Sequence, residues 1–216
     1  MSQALSRSRI YFQQQKDRYL KVICLTGGLA SGKSTVCSFL TEKGASIIDA
    51  DKLGHRAYDP GTQAYREVIE TFGEEVVAED QNIDRNVLGG IVFEQPDELK
   101  KLTNIVWPEI RRLAELEIAR LDAIYPDGIV VLEAAVLFEA GWEDLGDEIW
   151  VVIVDHDVAI ERSMNRDGSN REAVEKKLDA QLTNEERISR SDIVIENNGD
   201  PEQLIDRVQL EWSRIS

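Results

Sequence analysis

The sequence has little cysteine, little histidine and a shortage of basic residues relative to acidic ones. Its 216 residues include two cysteines and two histidines, and 41 acidic residues against 25 basic ones give a net charge of −16. The two cysteines, Cys24 and Cys37, provide neither a disulfide framework nor the spacing of a metal site. The acidic excess argues against nucleic acid or an anionic membrane as a main partner. A run of 18 apolar residues, which a membrane span needs, is also absent from the sequence.

The first 20 residues differ from the rest in composition. They contain serine, arginine and lysine, and Asp17 is the first acidic residue. We expect residues 1–20 to form a separate N-terminal arm and the protein to be cytoplasmic. A mitochondrial location is the alternative if this arm is a presequence.

A glycine-rich loop follows the first apolar run of the chain. Residues 25–35, LTGGLASGKST, fill the P-loop pattern G-x-x-x-x-G-K-[ST] at every position. Backbone N–H groups of such a loop bind phosphates, its lysine reaches the β- and γ-phosphates, and its hydroxyl residue binds Mg²⁺. The pattern therefore predicts a site for nucleotide phosphates with Mg²⁺ on Ser34. The predicted nucleotide-binding residues are Gly28, Leu29, Ala30, Ser31, Gly32, Lys33, Ser34 and Thr35.

Strand and helix patterns alternate from Lys21 onward. This alternation is typical of an α/β fold with a parallel sheet flanked by helices. Five strands are predicted, at residues 22–25, 45–51, 128–137, 148–155 and 191–197. We assign the ranges 21–51, 128–155 and 191–216 to a P-loop nucleotide-binding core. A helix is expected after the P-loop, and another is expected to follow Asp200 as its N-cap.

Two segments between the strands are longer than a crossover helix requires. Residues 52–127 show mostly helical patterns, and Pro108 is expected to split or kink the last of them. Ligands of α/β sheets bind at the carboxyl ends of the strands, so we interpret this segment as a helical acceptor-binding insertion. Residues 156–190 predict a helix, a turn and a second helix, and they concentrate basic residues in an acidic chain. We interpret them as an arginine-bearing lid, with Arg162, Arg166, Arg171, Arg187 and Arg190.

Several classes of P-loop protein lack their diagnostic motifs here. The tetrapeptide DKLG at 51–54 matches the DxxG switch of GTPases, but no NKxD motif follows. The signature of ATP-binding-cassette proteins is also missing from the sequence. A small-molecule kinase fits best, while a kinase for a nucleoside or nucleotide and a non-catalytic nucleotide-binding switch remain alternatives.

A series of motifs beyond the P-loop resembles the dephospho-CoA kinase family from about Val22 to Trp212. These motifs are DAD at 49–51, IDR at 83–85, LFEAG at 137–141, RxxxR at 162–166 and NNG at 197–199. Trp107-Pro108 and GHRAY look like the kinase domain of eukaryotic bifunctional CoA synthase, since bacterial members usually have His-Pro. The resemblance implies a P-loop kinase fold and phosphorylation of the ribose 3′-hydroxyl of dephospho-CoA by ATP. This reaction is the last step of CoA biosynthesis.

The resemblance and the positions of polar residues together suggest roles at the site. Asp51, expected at the end of the second strand, would bind the acceptor hydroxyl and take its proton. A helix cap or a ligand of a metal-bound water is the alternative for Asp51, and Asp49 is interpreted as its more structural partner.

Two lid arginines and the P-loop lysine complete the predicted catalytic group. Arg162 and Arg166 are four residues apart and therefore share one helix face, where both could bind the same phosphates. An exposed, solubilising face is the alternative reading of this pair. Lys33 is the third cation of the predicted group.

Three further residues are candidates for binding the substrates. Arg85 is implied to contact the CoA moiety, with an ion pair in the helical segment as the alternative. Glu139 could serve the acceptor or cap a helix. Asn197 could lie beside the adenine of ATP or serve a turn.

Overall fold

A computed structural model of the chain describes residues 20–93 and 95–216. The predicted arm lies outside these residues except for Leu20, whose side chain is buried in the core. Within the described ranges, no helix is both long and apolar enough to cross a membrane.

A parallel sheet of five strands forms the centre of the described chain, as predicted. The strands are β1 Lys21–Gly27, β2 Ser46–Asp49, β3 Ile129–Glu133, β4 Glu148–Ile153 and β5 Ile193–Glu196. Their order in the sheet is β2-β3-β1-β4-β5. β1 is central and almost entirely buried, which explains its continuous apolar sequence. The predicted insertion connects β2 to β3 on one side of β1, and the predicted lid connects β4 to β5 on the other side.

Helices cover both faces of the sheet, and each face has its own apolar cluster. The described α-helices are α1 Lys33–Glu42, α2 Ala50–Ala57, α3 Gln63–Phe72, α4 Arg85–Val92, α5 Pro96–Ile124, α6 His156–Asp167, α7 Arg171–Asp179, α8 Asn184–Ser189 and α9 Pro201–Ile215. One cluster joins the sheet to the helices of the predicted insertion, α2 to α5, and the other joins it to α1 and α9. Asp200 caps α9, as predicted.

The second strand ends two residues earlier than predicted. β2 stops at Asp49, and the Asp49 carboxylate accepts a hydrogen bond of 3.0 Å from the backbone N–H of Lys52. Asp49 is thus the N-cap of α2, and Asp51 lies in the first turn of that helix. The prediction that Asp51 ends the strand is wrong, and its alternative role as a helix cap belongs to Asp49.

Pro108 does not split the long helix of the insertion, contrary to one of the two predicted effects. It lies inside the single helix α5, which runs from Pro96 to Ile124. Val106 and Ile110 are both buried in the same core cluster, on either side of the proline. Tertiary packing of this apolar face therefore keeps the helix continuous although Pro108 supplies no N–H donor.

The predicted lid contains one more helix than the sequence suggested. A turn at Gly168, which has a positive φ of 65°, separates α6 from α7, as expected. The second helical pattern is divided by residues 180–183, because Thr183 and Glu186 form a capping box that starts α8.

Candidate active site

The P-loop connects β1 to α1 in a conformation that requires glycine at two points. Gly27 and Gly32 have φ values of 154° and 102°. A Cβ atom on Gly27 would lie 2.3 Å from the Val152 carbonyl oxygen, and one on Gly32 would lie 2.4 Å from Nδ2 of Asn197. The loop therefore passes close to β4 on one side and to the end of β5 on the other, and its backbone amides are held in place.

Lys33 is folded back onto its own loop. Its Nζ donates hydrogen bonds to the carbonyl oxygens of Gly27 and Gly28, at 2.9 and 3.4 Å. Burial lowers the pKa of Lys33, and the charge of Arg187 lowers it further, while Glu133 and Asp51 oppose this shift. The ammonium group is thus held by backbone carbonyl oxygens at the carboxyl end of β1.

Acidic residues line a cavity on the side of the P-loop that carries Ser34. Asp49 and Glu133 lie opposite each other in the register of β2 and β3, and both line a cavity with Ser34 and Lys52. Burial raises the pKa of Glu133, and the carboxylates of Asp49 and Asp51 add to the increase. Within the described ranges, no three acidic, histidine or cysteine side chains form a ready-made metal site. Oxygen donors of this kind fit Mg²⁺ that is bound mainly through nucleotide phosphates and water.

Asp51 lines a separate pocket with an aromatic wall. The pocket lies between α2 and α5, and its lining includes His55, Tyr58, Trp107 and Trp142. The two tryptophan rings meet edge to face with their centroids 6.5 Å apart. Asp51 follows β2 at the edge of the sheet from which the P-loop leaves β1, and its charge opposes the lowering of the Lys33 pKa. This carboxylate therefore lies in the aromatic pocket and on the same edge of the sheet as the P-loop lysine.

Gly54 brings the two walls of this pocket together. A Cβ atom at Gly54 would lie 3.3 Å from Cδ1 of Ile110, so the glycine permits close contact between α2 and α5. The sequence DKLG that resembles a GTPase switch thus spans the first turns of a helix packed on α5. This packing accounts for its glycine without a switch function.

Asn197 and Arg162 lie together at the carboxyl end of β5. Asn197 is buried, and its side-chain amide donates to the Ser31 carbonyl oxygen at 2.7 Å. Arg162 donates to the Asn197 carbonyl oxygen at 2.8 Å and to the Gly199 carbonyl oxygen at 3.4 Å. Asn197 is therefore attached to the phosphate loop, while the Arg162 guanidinium is attached to the loop after β5.

The remaining predicted site residues are more dispersed. The Nε and Nη2 atoms of Arg166 both donate hydrogen bonds to the carboxylate of its neighbour Asp167. Arg85 donates to the His55 carbonyl oxygen at 3.0 Å and lies over the Tyr58 ring, so it borders the aromatic pocket. Arg162 and Arg166 are thus not brought together by these contacts, and their predicted role on the phosphates stays a prediction.

Glu139 faces the lid rather than capping a helix. Its Oε1 lies 3.8 Å from Nη2 of Arg187, whose side chain is 1% exposed. Arg187 was one of five lid arginines in the sequence, and nothing in the charge pattern separated it from the others. The capping box at Thr183 and Glu186 is the signal that could have done so, because it sets the start of α8 and hence the face on which Arg187 lies.

Known proteins match most of the chain. A family model described as Dephospho-CoA kinase matches residues 21–203. Curated dephospho-CoA kinases of Geobacter sulfurreducens and Fusobacterium nucleatum are 45% and 40% identical, over 90% and 88% of this chain and 98% and 96% of theirs. A solved Thermus thermophilus structure has a TM-score of 0.76 at 34% identity, covering 92% of this chain and all of that one. A dephospho-CoA kinase structure from Campylobacter jejuni has a TM-score of 0.68 at 28% identity, covering 90% of this chain and 96% of that one.

Proposed function

The chain belongs to the dephospho-CoA kinase family, and we propose that it transfers the γ-phosphoryl group of ATP to the ribose 3′-hydroxyl of dephospho-CoA. It is a kinase of CoA biosynthesis. The observation that carries the proposed chemistry is the position of Asp51, which lines the aromatic pocket two residues after the end of β2, at the same edge of the parallel sheet as the P-loop. Phosphoryl transfer depends mainly on positioning and charge stabilisation, and this juxtaposition would supply both.

The ATP side of the reaction is assigned to the P-loop. Its backbone amides and Thr35 would hold the phosphates, and Lys33 would leave its carbonyl partners to meet the β- and γ-phosphates. Ser34 would bind Mg²⁺, and Glu133 and Asp49 would orient its water ligands from the shared cavity. The ion would neutralise charge on the phosphates when bound. Asn197 would hold the loop in shape beside the adenosine of ATP.

The acceptor side is assigned to the aromatic pocket between α2 and α5. The acceptor hydroxyl of dephospho-CoA belongs to an adenosine, so its adenine must lie close to the base that takes the proton. Trp107, Tyr58 and His55 offer ring faces on which adenine can stack. Arg85, at the border of this pocket, would pair with the acceptor's phosphates. In the transfer, the acceptor oxygen bonds to the γ-phosphorus, the bond to the β,γ-bridging oxygen breaks, and Asp51 takes the hydroxyl proton.

The segment 156–190 is proposed to close over the phosphates as a lid. The Gln181 side chain already accepts a hydrogen bond of 3.0 Å from the Leu29 N–H, so the lid contacts the P-loop in this conformation. Closure would let Arg162 and Arg166 exchange their present oxygen partners for phosphate oxygens. Glu139 would act on the bound substrates only through its contact with Arg187. A cytoplasmic location is also proposed, and the bacterial relatives lend no support to the mitochondrial alternative.

An acceptor panel tests the proposed function. ADP formation from ATP is measured with dephospho-CoA, with nucleosides and with nucleoside monophosphates as acceptors. We expect turnover with dephospho-CoA at least a hundredfold above the others, and a product with a 3′-phosphomonoester in its phosphorus spectrum. Preferential turnover of a nucleoside or a nucleotide would overturn the acceptor assignment. Equal tight binding of GTP and GDP without turnover would instead support a nucleotide-binding switch.

A further inference from the structure

Arg187 is a buried cation with unused hydrogen-bonding capacity. Its side chain is 1% exposed, and its Nε donates a single long hydrogen bond of 3.3 Å to the Leu182 carbonyl oxygen. Nη2 lies 3.8 Å from Glu139, which is beyond hydrogen-bonding distance. Nη1 has no partner among the described residues. A guanidinium carries five N–H donors, so most of them are left without a protein acceptor.

Such an arrangement is costly for the folded protein. A buried charge is normally paired and hydrogen-bonded, and one carboxylate at 3.8 Å compensates only part of the charge. Burial lowers the pKa of Arg187, in agreement with this desolvation, while Glu139 and Glu186 oppose the shift. An arginine kept in this state is best explained by an anionic ligand that completes its hydrogen bonds.

The residues around Arg187 indicate the chemical class of the ligand that it would bind. Its side chain lines a cavity together with Gly28 and Leu29 of the P-loop and with Gln181 of the lid. Its charge also reaches Lys33, whose pKa it helps to lower. Lys33 Nζ donates to the Gly28 carbonyl oxygen and Arg187 lines a cavity with the same Gly28, so two cations lie next to one part of a loop whose backbone amides are proposed to bind phosphates. The chemistry of this site suits a phosphoryl group held between Lys33 and Arg187.

The other lid arginines are engaged elsewhere in the same conformation. Arg162 is bound to carbonyl oxygens after β5, and Arg166 is bound to Asp167. Arg190, which follows α8, pairs with Glu143 and donates to the Phe138 carbonyl oxygen at 3.2 Å. Arg171 pairs with Asp157 and Glu175. Arg187 therefore differs from these four, since its guanidinium has no carboxylate or carbonyl acceptor within 3.2 Å.

We propose that Arg187 is a further catalytic residue, whose guanidinium contacts the phosphoryl group while it passes from ATP to the acceptor. This role rests on the proposed function. Arg187 donates hydrogen bonds to the equatorial oxygens of the transferring group and exchanges no proton. Glu139 is a positioning residue that keeps the guanidinium directed to the phosphates without neutralising it fully. Because the charge on these oxygens is redistributed in the transition state, the contact lowers the barrier more than it tightens substrate binding.

The test compares Arg187→Met with Arg190→Met. Both variants replace an arginine by methionine, the first inside α8 and the second at the residue that follows this helix. Affinities for ATP and for ADP are measured by calorimetry without acceptor, and kcat is measured with dephospho-CoA. We expect Arg187→Met to lower kcat by about 10³-fold or more, the scale of an arginine that stabilises this transition state. ADP affinity should change less than about threefold, and Arg190→Met should keep a kcat near that of wild type.

Arg187→Lys is the second variant, because removal of a buried side chain can impair folding. It keeps the charge but loses the planar fork, so we expect a normal melting temperature and a kcat lowered about tenfold or more. A kcat within a few-fold of wild type in folded Arg187→Lys and Arg187→Met would overturn the proposal. Equal losses of ATP and ADP affinity with an unchanged kcat would also overturn it. Failure of the acceptor assignment would be visible separately, in the wild-type acceptor panel.

Discussion

The side-chain amide of Asn197 donates a 2.7 Å hydrogen bond to the carbonyl oxygen of Ser31 and thereby fixes the phosphate loop to the end of β5. The next residue provides a natural comparison. Asn198 uses its side-chain oxygen instead, as the acceptor of a 2.7 Å hydrogen bond from the Asp155 N–H. Asn197 therefore binds the P-loop through its side-chain nitrogen, whereas Asn198 binds the Asp155 N–H through its side-chain oxygen.

We predict that Asn197→Asp weakens ATP binding about tenfold or more, whereas Asn198→Asp does not. The first variant replaces the donor by an oxygen that faces the Ser31 carbonyl, and such a loss costs about 1–3 kcal/mol. The second variant adds the same charge but retains its accepting oxygen. Calorimetric titration with ATP checks this, and equal losses in the two variants would show that the added charge is responsible.

Lys33→Met should abolish turnover and leave the fold intact. Methionine replaces the apolar stem of the lysine, and the cation is already disfavoured by burial, as the lowered pKa of Lys33 indicates. We expect kcat to fall by at least about 10²–10³-fold, the scale for loss of one charge-stabilising group. Steady-state rates and thermal melts measure the two effects, and a wild-type-like kcat in the folded variant would remove the lysine from the site.

Trp107→Leu should raise the KM for dephospho-CoA about tenfold, with the KM for ATP within twofold of wild type. The expected size follows from about 1–3 kcal/mol for stacking of one base on an aromatic ring. Tyr125→Leu is the control, since Tyr125 follows the far end of α5 and is 57% exposed. A parallel rise of both KM values would indicate a general disturbance instead of an acceptor contact.

Glu148 provides a prediction about stability that is separate from the site. It accepts hydrogen bonds from Arg214, Lys21 and Trp150, and these lower its pKa from 4.5 to about 2. The pKa of the folded state thus lies below that of the unfolded state. The resulting stabilisation is complete above about pH 4.5 and is lost as the pH falls toward about 2.

Glu148→Gln should therefore be less stable than wild type at pH 7, by at most about 3 kcal/mol for a shift of this size. The difference should shrink between pH 4.5 and pH 3, while kcat at pH 7 stays unchanged. Urea unfolding of both proteins at pH 7, 5 and 3 gives the comparison. A difference in the free energy of unfolding that does not depend on pH would contradict the proposed carboxylate contacts.

The sequence predicted the phosphate loop well because every position of its motif carries a backbone or side-chain requirement. The five parallel strands followed from short apolar runs between helical patterns, although their ends were less certain. In the triplet at 49–51, either aspartate could have capped the helix, and only the pairing of β2 with Glu133 shows that the strand ends at Asp49. The local sequence pattern alone does not show at which aspartate the strand ends.

The lid is a second segment whose structure the local sequence pattern did not fully predict. Five arginines in a charged helical segment look alike in sequence, yet Arg187 is buried and Arg166 is exposed. The difference arises from the break before α8, which the capping box at Thr183 could have signalled. Burial of a cation also depends on its tertiary neighbours, here Glu139 and the P-loop, which are distant in the chain.

Asp51 is the group proposed to take the proton of the acceptor hydroxyl, the central step of the transfer. Asp51→Asn keeps the size of the side chain and removes the base, while the cap of α2 remains with Asp49. We therefore expect normal folding and normal ATP affinity, with a loss of about 10²–10⁴ in the rate of the chemical step.

The most direct measurement is single-turnover transfer of labelled phosphate from ATP to dephospho-CoA by wild type and Asp51→Asn at several Mg²⁺ concentrations. If Asp51 is the base, phosphoryl transfer stays slow in the variant at every Mg²⁺ concentration. Recovery of the rate by Mg²⁺ would make Asp51 a ligand of metal-bound water. A rate within a few-fold of wild type at every Mg²⁺ concentration would contradict its role as the base.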